Sequence, residues 1–455
     1  MLRKPAALIT LLVAVCGLLA SSASGADAAG SATTVVELAH GVPSGPSIPV
    51  TMQPVGLSLE YPLMAQDLGT GACPPPALAT ELQKLGSPPI SLAGDSQDLT
   101  APSGALSAPY SSWETAVLYS LPANFWSQLH CLLSASKDPL TVGINLKTGQ
   151  LAWATQIAAG AQSAATNGLA FSLGNEPDLY DLPNYSALGK PQSPAAAASL
   201  YEQLATYLRP AIGSAPLVGP ELASAAHWRA ELPQIIAALH IQTIGVHAYP
   251  LSVCGSPRAA TVSGLLSPRV ADTPSALAWV VADANSAGVP AILSEANSVS
   301  CGGKTGVSDS PASAVWAIRF VLDALKTGLG EVRFHFSGGA YDPFVVRGQE
   351  VIDRPLDTAM VALNEWLPVG SSLRSLTTTK GLVATLVSGP TAPVQLILDN
   401  ERARAQQVVL RSPGSVSIAV FSPAYAGLKT QTLQPSKGRI KLTLAGNSIV
   451  AVLSS

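Results

Sequence analysis

The chain has 455 residues, 47% hydrophobic and only 12% charged, with a formal net charge of −3. That balance is the reverse of a disordered chain. With no Lys/Arg cluster it offers a nucleic-acid backbone nothing to hold. The length exceeds one ordinary core and suits a barrel of about 250 residues or more beside a smaller domain.

The first residues read as an export signal. Arg3 and Lys4 give a positive start, and Ala7 to Ala20 is a nearly unbroken apolar run. Ala23-Ser24-Gly25 and Ala26-Asp27-Ala28 are small-residue cleavage sites. The run falls short of the roughly 20 residues a membrane helix needs. The mature chain is therefore expected to be secreted, into the extracellular space or a periplasm, with no membrane span. The expected division is a signal peptide over residues 1–28, an N-terminal segment over 29–50, a barrel over 51–365 and a small β-domain over 366–455.

The N-terminal segment holds one strand-like piece, Thr33 to Leu38, which is read as a possible addition to the β-domain. Short apolar runs then alternate with helical stretches. The strand candidates are Val55–Leu59, Pro89–Leu92, Leu140–Asn145, Leu169–Leu173, Leu217–Val218, Thr243–His247, Ala291–Ser294 and Val332–Phe336. Between them, Ala77–Leu85, Asn124–Ser134, Ala152–Ala164, Ala195–Leu208, Trp228–Leu239, Ser275–Ala287 and Ala312–Thr327 have helical texture. Such alternation predicts parallel strands with crossover helices. Eight strands fit a closed (β/α)8 TIM barrel; an open doubly wound sheet is the alternative. Beyond Trp366 the helical period stops. Pieces such as Gly381–Val387, Val394–Leu398 and Ile449–Leu453, separated by turn residues, predict a C-terminal antiparallel β-sandwich.

In a (β/α)8 barrel the chemistry sits at the carboxyl ends of the strands. The fourth run opens into Gly174-Asn175-Glu176-Pro177-Asp178, and the seventh into Ser294-Glu295-Ala296-Asn297. A carboxylate amid apolar sequence is expensive to bury without a purpose. Glycoside cleavage needs two carboxyl groups flanking one bond, one to protonate the leaving oxygen and one to attack the anomeric carbon. Glu176 is the candidate acid/base and Glu295 the candidate nucleophile. Asn175 stands beside them as a partner for a sugar hydroxyl. Tyr249, in His247-Ala248-Tyr249-Pro250 after the sixth run, can hydrogen-bond the nucleophile and keep it ionised. Glu60 after strand one and Asp95 after strand two can hold sugar hydroxyls.

Asn175-Glu176-Pro177 resembles the acid/base motif of the large clan of retaining (β/α)8 glycosidases. Ser172 to Asp178, and Ser294-Glu295-Ala296-Asn297-Ser298-Val299-Ser300-Cys301-Gly302-Gly303, resemble the heparanase and β-glucuronidase family, glycoside hydrolase family 79. Gly306-Val307-Ser308-Asp309 is similar to microbial members; Ser300 stands where some relatives carry an aromatic residue. The resemblance implies net retention, a sandwich beside the barrel, and β-glucuronide substrates. It also implies that Gly302 and Tyr341 bind a uronate carboxylate and that Tyr249 contacts the nucleophile. Gly302-Gly303 suits this, because glycine lets backbone N–H groups approach closely. Lys304 either adds charge there or points to solvent. A β-xylosidase, an arabinofuranosidase, or a non-catalytic carbohydrate-binding barrel remains the alternative.

Outside the signal stand Cys73, Cys131, Cys254 and Cys301. They make no CxxC and no zinc spacing. Cys254 follows strand six and Cys301 follows strand seven. Adjacent strands place both on one face, which predicts a Cys254–Cys301 disulfide; Cys73 and Cys131 are left as a second pair. With no HExxH, GxSxG, P-loop or GxGxxG, neither metal nor cofactor is expected. The expected partner is a carbohydrate.

Overall fold

The computed structural model describes residues 34–37, 44–105, 119–180, 193–223, 225–254, 260–412 and 414–453. The export signal lies outside them. Eight strands, Val55–Glu60, Ile90–Ala93, Leu140–Ile144, Leu169–Leu173, Leu217–Leu222, Thr243–Ala248, Ala291–Ala296 and Val332–Phe336, pair in chain order as a closed parallel barrel. They are numbered one to eight below. Strand eight closes the ring on strand one, with Val332 opposite Val55 and Phe336 opposite Leu59. The walls are buried on both faces, which is why these runs read as continuous apolar sequence instead of alternating.

A helix over Tyr61–Leu68 precedes the expected one between strands one and two, and two further elements depart from the expectation. Strand five runs to Leu222, past Gly219-Pro220, which reads as a turn in the sequence. The pairing with strand six shifts register just past the proline: Pro220 lies opposite Gly245 and Leu222 opposite Val246, which leaves Glu221 as the extra residue. An eighth barrel helix, Pro355–Trp366, was not foreseen. Its buried Leu356, Ala359, Met360, Leu363 and Trp366 follow the helical period, with proline at its first position.

The C-terminal strands form a seven-stranded sheet facing a three-stranded one. Ser448–Leu453, in the larger sheet, is buried on both sides. Val450 and Val452 join Leu396, Leu398 and Leu442 in the sandwich core. Ile449 and Ala451 face the other way, into the barrel's core, where Phe421 meets Trp366 at 5.7 Å between ring centroids. Thr34–Glu37 pairs in parallel with Gln406–Arg411, and Ile48–Pro49 pairs with Ser372–Leu376. Disulfides join Cys73 to Cys131 and Cys254 to Cys301, with Cα separations of 5.6 and 6.0 Å. Among the described residues no helix is long and apolar enough to cross a membrane.

A buried ion pair ties barrel to sandwich. Arg319, on helix Pro311–Thr327, donates from Nη2 and Nε to Asp399 at 2.7–3.0 Å, and from Nη1 to the Leu266 carbonyl at 2.9 Å. Removing one partner strands a buried charge. Arg319→Ala is expected to destabilise the protein by about 3–5 kcal/mol, read as a lowered denaturant midpoint. A change under about 1 kcal/mol would mean that the pair holds nothing together.

Candidate active site

The mouth of the barrel gathers the candidate residues onto strand ends. Glu176 follows strand four in a left-handed conformation, φ 49°, and its backbone N–H donates to the Glu221 carbonyl at 3.0 Å. Left-handed backbone at a non-glycine residue is uncommon and clusters at functional sites. The preceding Gly174 has φ 76°, and a Cβ there would meet Leu146 and Tyr180 at 2.9 Å. Asp98, 1% exposed, holds this loop: its carboxylate accepts from the Asn175 and Leu146 N–H groups at 3.1 and 2.9 Å and from the Tyr180 hydroxyl.

Glu295 ends strand seven and is 6% exposed. Tyr249 donates its hydroxyl to Glu295 Oε1 at 2.8 Å. His335 Nδ1 lies 3.3 Å from Glu295 Oε2, and His247 Nδ1 lies 3.8 Å from Glu295 Oε1. His247 Nδ1 is also 3.0 Å from Glu176 Oε1, and its Nε2 is 3.3 Å from Glu221. One carboxylate oxygen of Glu176, one of Glu295 and a ring nitrogen of His247 all lie within 4.8 Å of one another.

The remaining candidates line the same mouth. Glu60 accepts from the Ser96 and Asp95 N–H groups at 2.8 and 3.2 Å and faces His335 Nε2 at 3.4 Å. Asn175 donates to Asp95 at 3.4 Å, while its own carbonyl oxygen is buried without a partner among the described residues. Tyr341 sits after strand eight, its ring 6.4 Å from Tyr249 and 6.0 Å from His335, and its oxygen accepts from Ser337 at 2.9 Å. The Gly302 carbonyl accepts from the Ala340 N–H at 2.6 Å. Gly303 packs on Tyr341 so closely that a Cβ would come 2.7 Å from its backbone nitrogen. The glycine pair is thus sewn to the Tyr341 loop, and the Cys254–Cys301 bridge fastens it from the other side. Lys304 takes neither foreseen course: its Nζ donates to the Ala260 carbonyl at 2.7 Å.

The electrostatics follow from this crowding. Burial alone would lower both histidines. Glu295 and Glu176 instead lift His247 well above its ordinary 6.5, and Glu295 with Glu60 lifts His335 to about 9. Burial and then the Glu295 charge raise Tyr249, so its hydroxyl keeps the proton it donates. Burial raises Asp95 to about 7, with Glu176, Glu60 and Glu295 adding to it. Against its burial, Glu60 is held below its ordinary value by His335 and Ser96. Tyr341 is raised, chiefly by burial. Among the described residues, Glu176, His247 and Glu295 are one of two groups whose side-chain atoms come close enough to hold a metal ion. A second acidic group, Glu81, Asp353 and Asp357, already surrounds the Lys84 ammonium at 2.6–3.0 Å.

His335 gives a pH test. Its folded value lies above its ordinary one, so the stability it contributes is present below about pH 6.5 and is lost as pH rises through about 9. The thermal midpoint is expected to fall between pH 7 and pH 10, and to fall less in His335→Asn. An equal fall in both would remove His335 as the cause.

Sequence reasoning missed Glu221, His335 and Asp98. Glu221 was hidden by the early end given to strand five. His335 and Arg333 lie two apart on strand eight and share one face, alternating with Val332, Phe334 and Phe336, a signal that was legible. Asp98 gave none.

No protein-family model matches the sequence, and no curated protein matches it. Solved structures do share the fold. A 4-O-α-L-rhamnosyl-β-D-glucuronidase from Fusarium oxysporum 12S, solved with Rha-GlcA, superposes with a TM-score of 0.73 at 20% identity, covering 92% of this chain and 100% of that one. The GH51 arabinofuranosidase from Xanthomonas axonopodis pv. citri gives 0.65 at 11% identity, covering 93% and 100%. The GH30 xylanase C catalytic domain from Talaromyces cellulolyticus gives 0.55 at 12%, covering 93% and 100%. At these identities the likeness is one of fold.

Proposed function

We propose that the chain is a retaining glycoside hydrolase and, within that class, a β-glucuronidase. The observation that carries the class is the approach of Glu176 and Glu295 oxygens to within 4.8 Å. Retaining enzymes hold their carboxyl groups about 5–5.5 Å apart, whereas inverting ones need about 6.5–9.5 Å to admit a water. Glu295 attacks the anomeric carbon while Glu176 gives its proton to the leaving oxygen. Water, deprotonated by Glu176, then hydrolyses the glycosyl-enzyme and releases the sugar with its configuration retained. Tyr249 and His335 hold Glu295 by hydrogen bond and charge, and Asn175, Glu60 and Asp95 bind sugar hydroxyls.

The uronate reading rests on Gly302 and Tyr341, joined by the Ala340 contact, and is supported by the fold shared with a glucuronidase. A neutral sugar is the second reading. It is favoured by Lys304, which is turned to the Ala260 carbonyl and leaves a uronate to Tyr341 and backbone donors. Two disulfides support an exported protein. Hydrolysis of 4-nitrophenyl β-D-glucuronide, beside the matching glucoside and xyloside, is the test. Release from the glucuronide alone is expected. Release from a neutral glycoside alone keeps the two-glutamate mechanism and discards the uronate site.

A further inference from the structure

The charge of the chain is divided unevenly between its two halves. Residues 366–455, which form the sandwich and the turn leading into it, hold nine Lys/Arg and two Asp/Glu, a net +7 within a chain of −3, so the rest carries −10. No two of the nine are adjacent in the sequence, which hides them as a cluster. One of the two acids, Asp399, is buried against Arg319 of the barrel and neutralises nothing on the sandwich surface. A surface of one sign raises the local concentration of partners of the other.

The topology opens a groove in this basic domain. Lys429–Leu433 is an edge strand of the seven-stranded sheet, and Arg439–Leu444 is an edge strand of the three-stranded one. Between these edges lies a cavity of about 440 Å³, within the roughly 300–1,000 Å³ of small-ligand sites. Ile418, Leu442 and Val450 of the sandwich core give it an apolar floor. Lys429, Lys441, Thr430, Gln431 and Thr443 line it and are exposed. Among the described residues no carboxylate pairs with either lysine; Lys429 Nζ instead stands 3.7 Å from the centre of the Tyr425 ring. Tyr425 is the one aromatic ring among the described lining residues, and the ammonium takes a face on which a nucleic-acid base would stack. Edge lysines also guard a sheet against pairing with another chain, but that role needs no cavity between two sheets. Two ammonium groups with hydroxyls and an amide between them match a sugar ring that carries both a carboxylate and hydroxyls. We propose that this groove binds an anionic polysaccharide, with Lys429 and Lys441 on its uronate carboxylates and Thr430, Gln431 and Thr443 on its hydroxyls. It holds the enzyme on a polymer at a place apart from the catalytic mouth. The choice of a glycan over other polyanions rests on the glycosidase reading above; the attraction for a polyanion does not.

The test measures binding to polygalacturonate, whose α-linked uronate rings a β-glucuronidase leaves intact, beside dextran, duplex DNA and phosphatidylglycerol vesicles. Wild type is expected to bind polygalacturonate more tightly than the other three, and to release it as salt rises from about 0.05 to 0.5 M and screening shortens. The double variant Lys429→Glu/Lys441→Glu is expected to weaken that binding by at least about tenfold, because two attractions become two repulsions. Its melting temperature and its rate on 4-nitrophenyl glycosides should be unchanged. Lys380→Glu/Lys437→Glu reverses two exposed lysines outside the groove and changes the net charge equally. It is expected to weaken binding by less than about threefold. Equal losses in the two variants would show charge acting without the groove and overturn the proposal. So would tighter binding to DNA or vesicles, or binding to dextran as tight as to polygalacturonate. No binding to polygalacturonate by a protein that cleaves the aryl glucuronide overturns the proposal and leaves the glucuronidase reading standing. Groove-dependent binding by a protein that cleaves no glycoside overturns that reading and leaves the groove as a site for anionic glycans.

Discussion

Glu295→Gln is expected to lower kcat/KM on every glycoside by at least about 10⁴-fold, or roughly 5 kcal/mol of transition-state stabilisation. Glutamine keeps the shape and can still accept from Tyr249, so binding and fold should survive. It cannot form the ester, however, and both steps of double displacement pass through that ester. The substitution also removes the leading charge that lifts His335 to about 9 and His247 above its ordinary value. Both imidazoles should therefore titrate at lower pH in the variant, measurable by NMR. A rate within tenfold of wild type would remove Glu295 from the role of nucleophile. An unshifted His335 would disprove the electrostatic account alone.

Glu176→Gln should separate the two steps. General acid catalysis contributes about 10²–10⁴-fold, so glycosides with poor leaving groups should lose that much. Activated aryl glycosides do not need the proton at the first step, and their glycosyl-enzyme should accumulate as a burst. Azide needs no general base and should restore turnover, giving a glycosyl azide of retained configuration. Uniform loss across leaving groups, without burst or rescue, would place Glu176 outside proton transfer. His247 is held between Glu176 and Glu221, 3.0 and 3.3 Å away, and so orients the acid. An inverted product from the wild-type enzyme would contradict both assignments at once.

Much of this was written in local sequence. The eight buried runs announce themselves because parallel strands covered on both faces must be apolar throughout. Asn175-Glu176-Pro177 and Ser294-Glu295 stand out because a carboxylate at the edge of such a run needs a reason to be there. Tyr249 and the Cys254–Cys301 bridge followed from which strands are neighbours. Other features depend on contacts that no local pattern encodes. Helix Pro355–Trp366 has a helical period, but the β-sandwich begins just after it and blurs its end. Glu221 reaches the site only because strand five continues through Gly219-Pro220. Asp98 and Asn175 meet across 77 positions of chain, and His335 and Ser58 across 277. Lys304 could have added charge to the site or pointed to solvent, and packing turned it instead to a carbonyl. Residue type and period specify which stretches are buried and where charge is out of place. Closure of the barrel decides which of those charges face one another, because hydrogen bonds and ion pairs depend on distances that chain separation does not set.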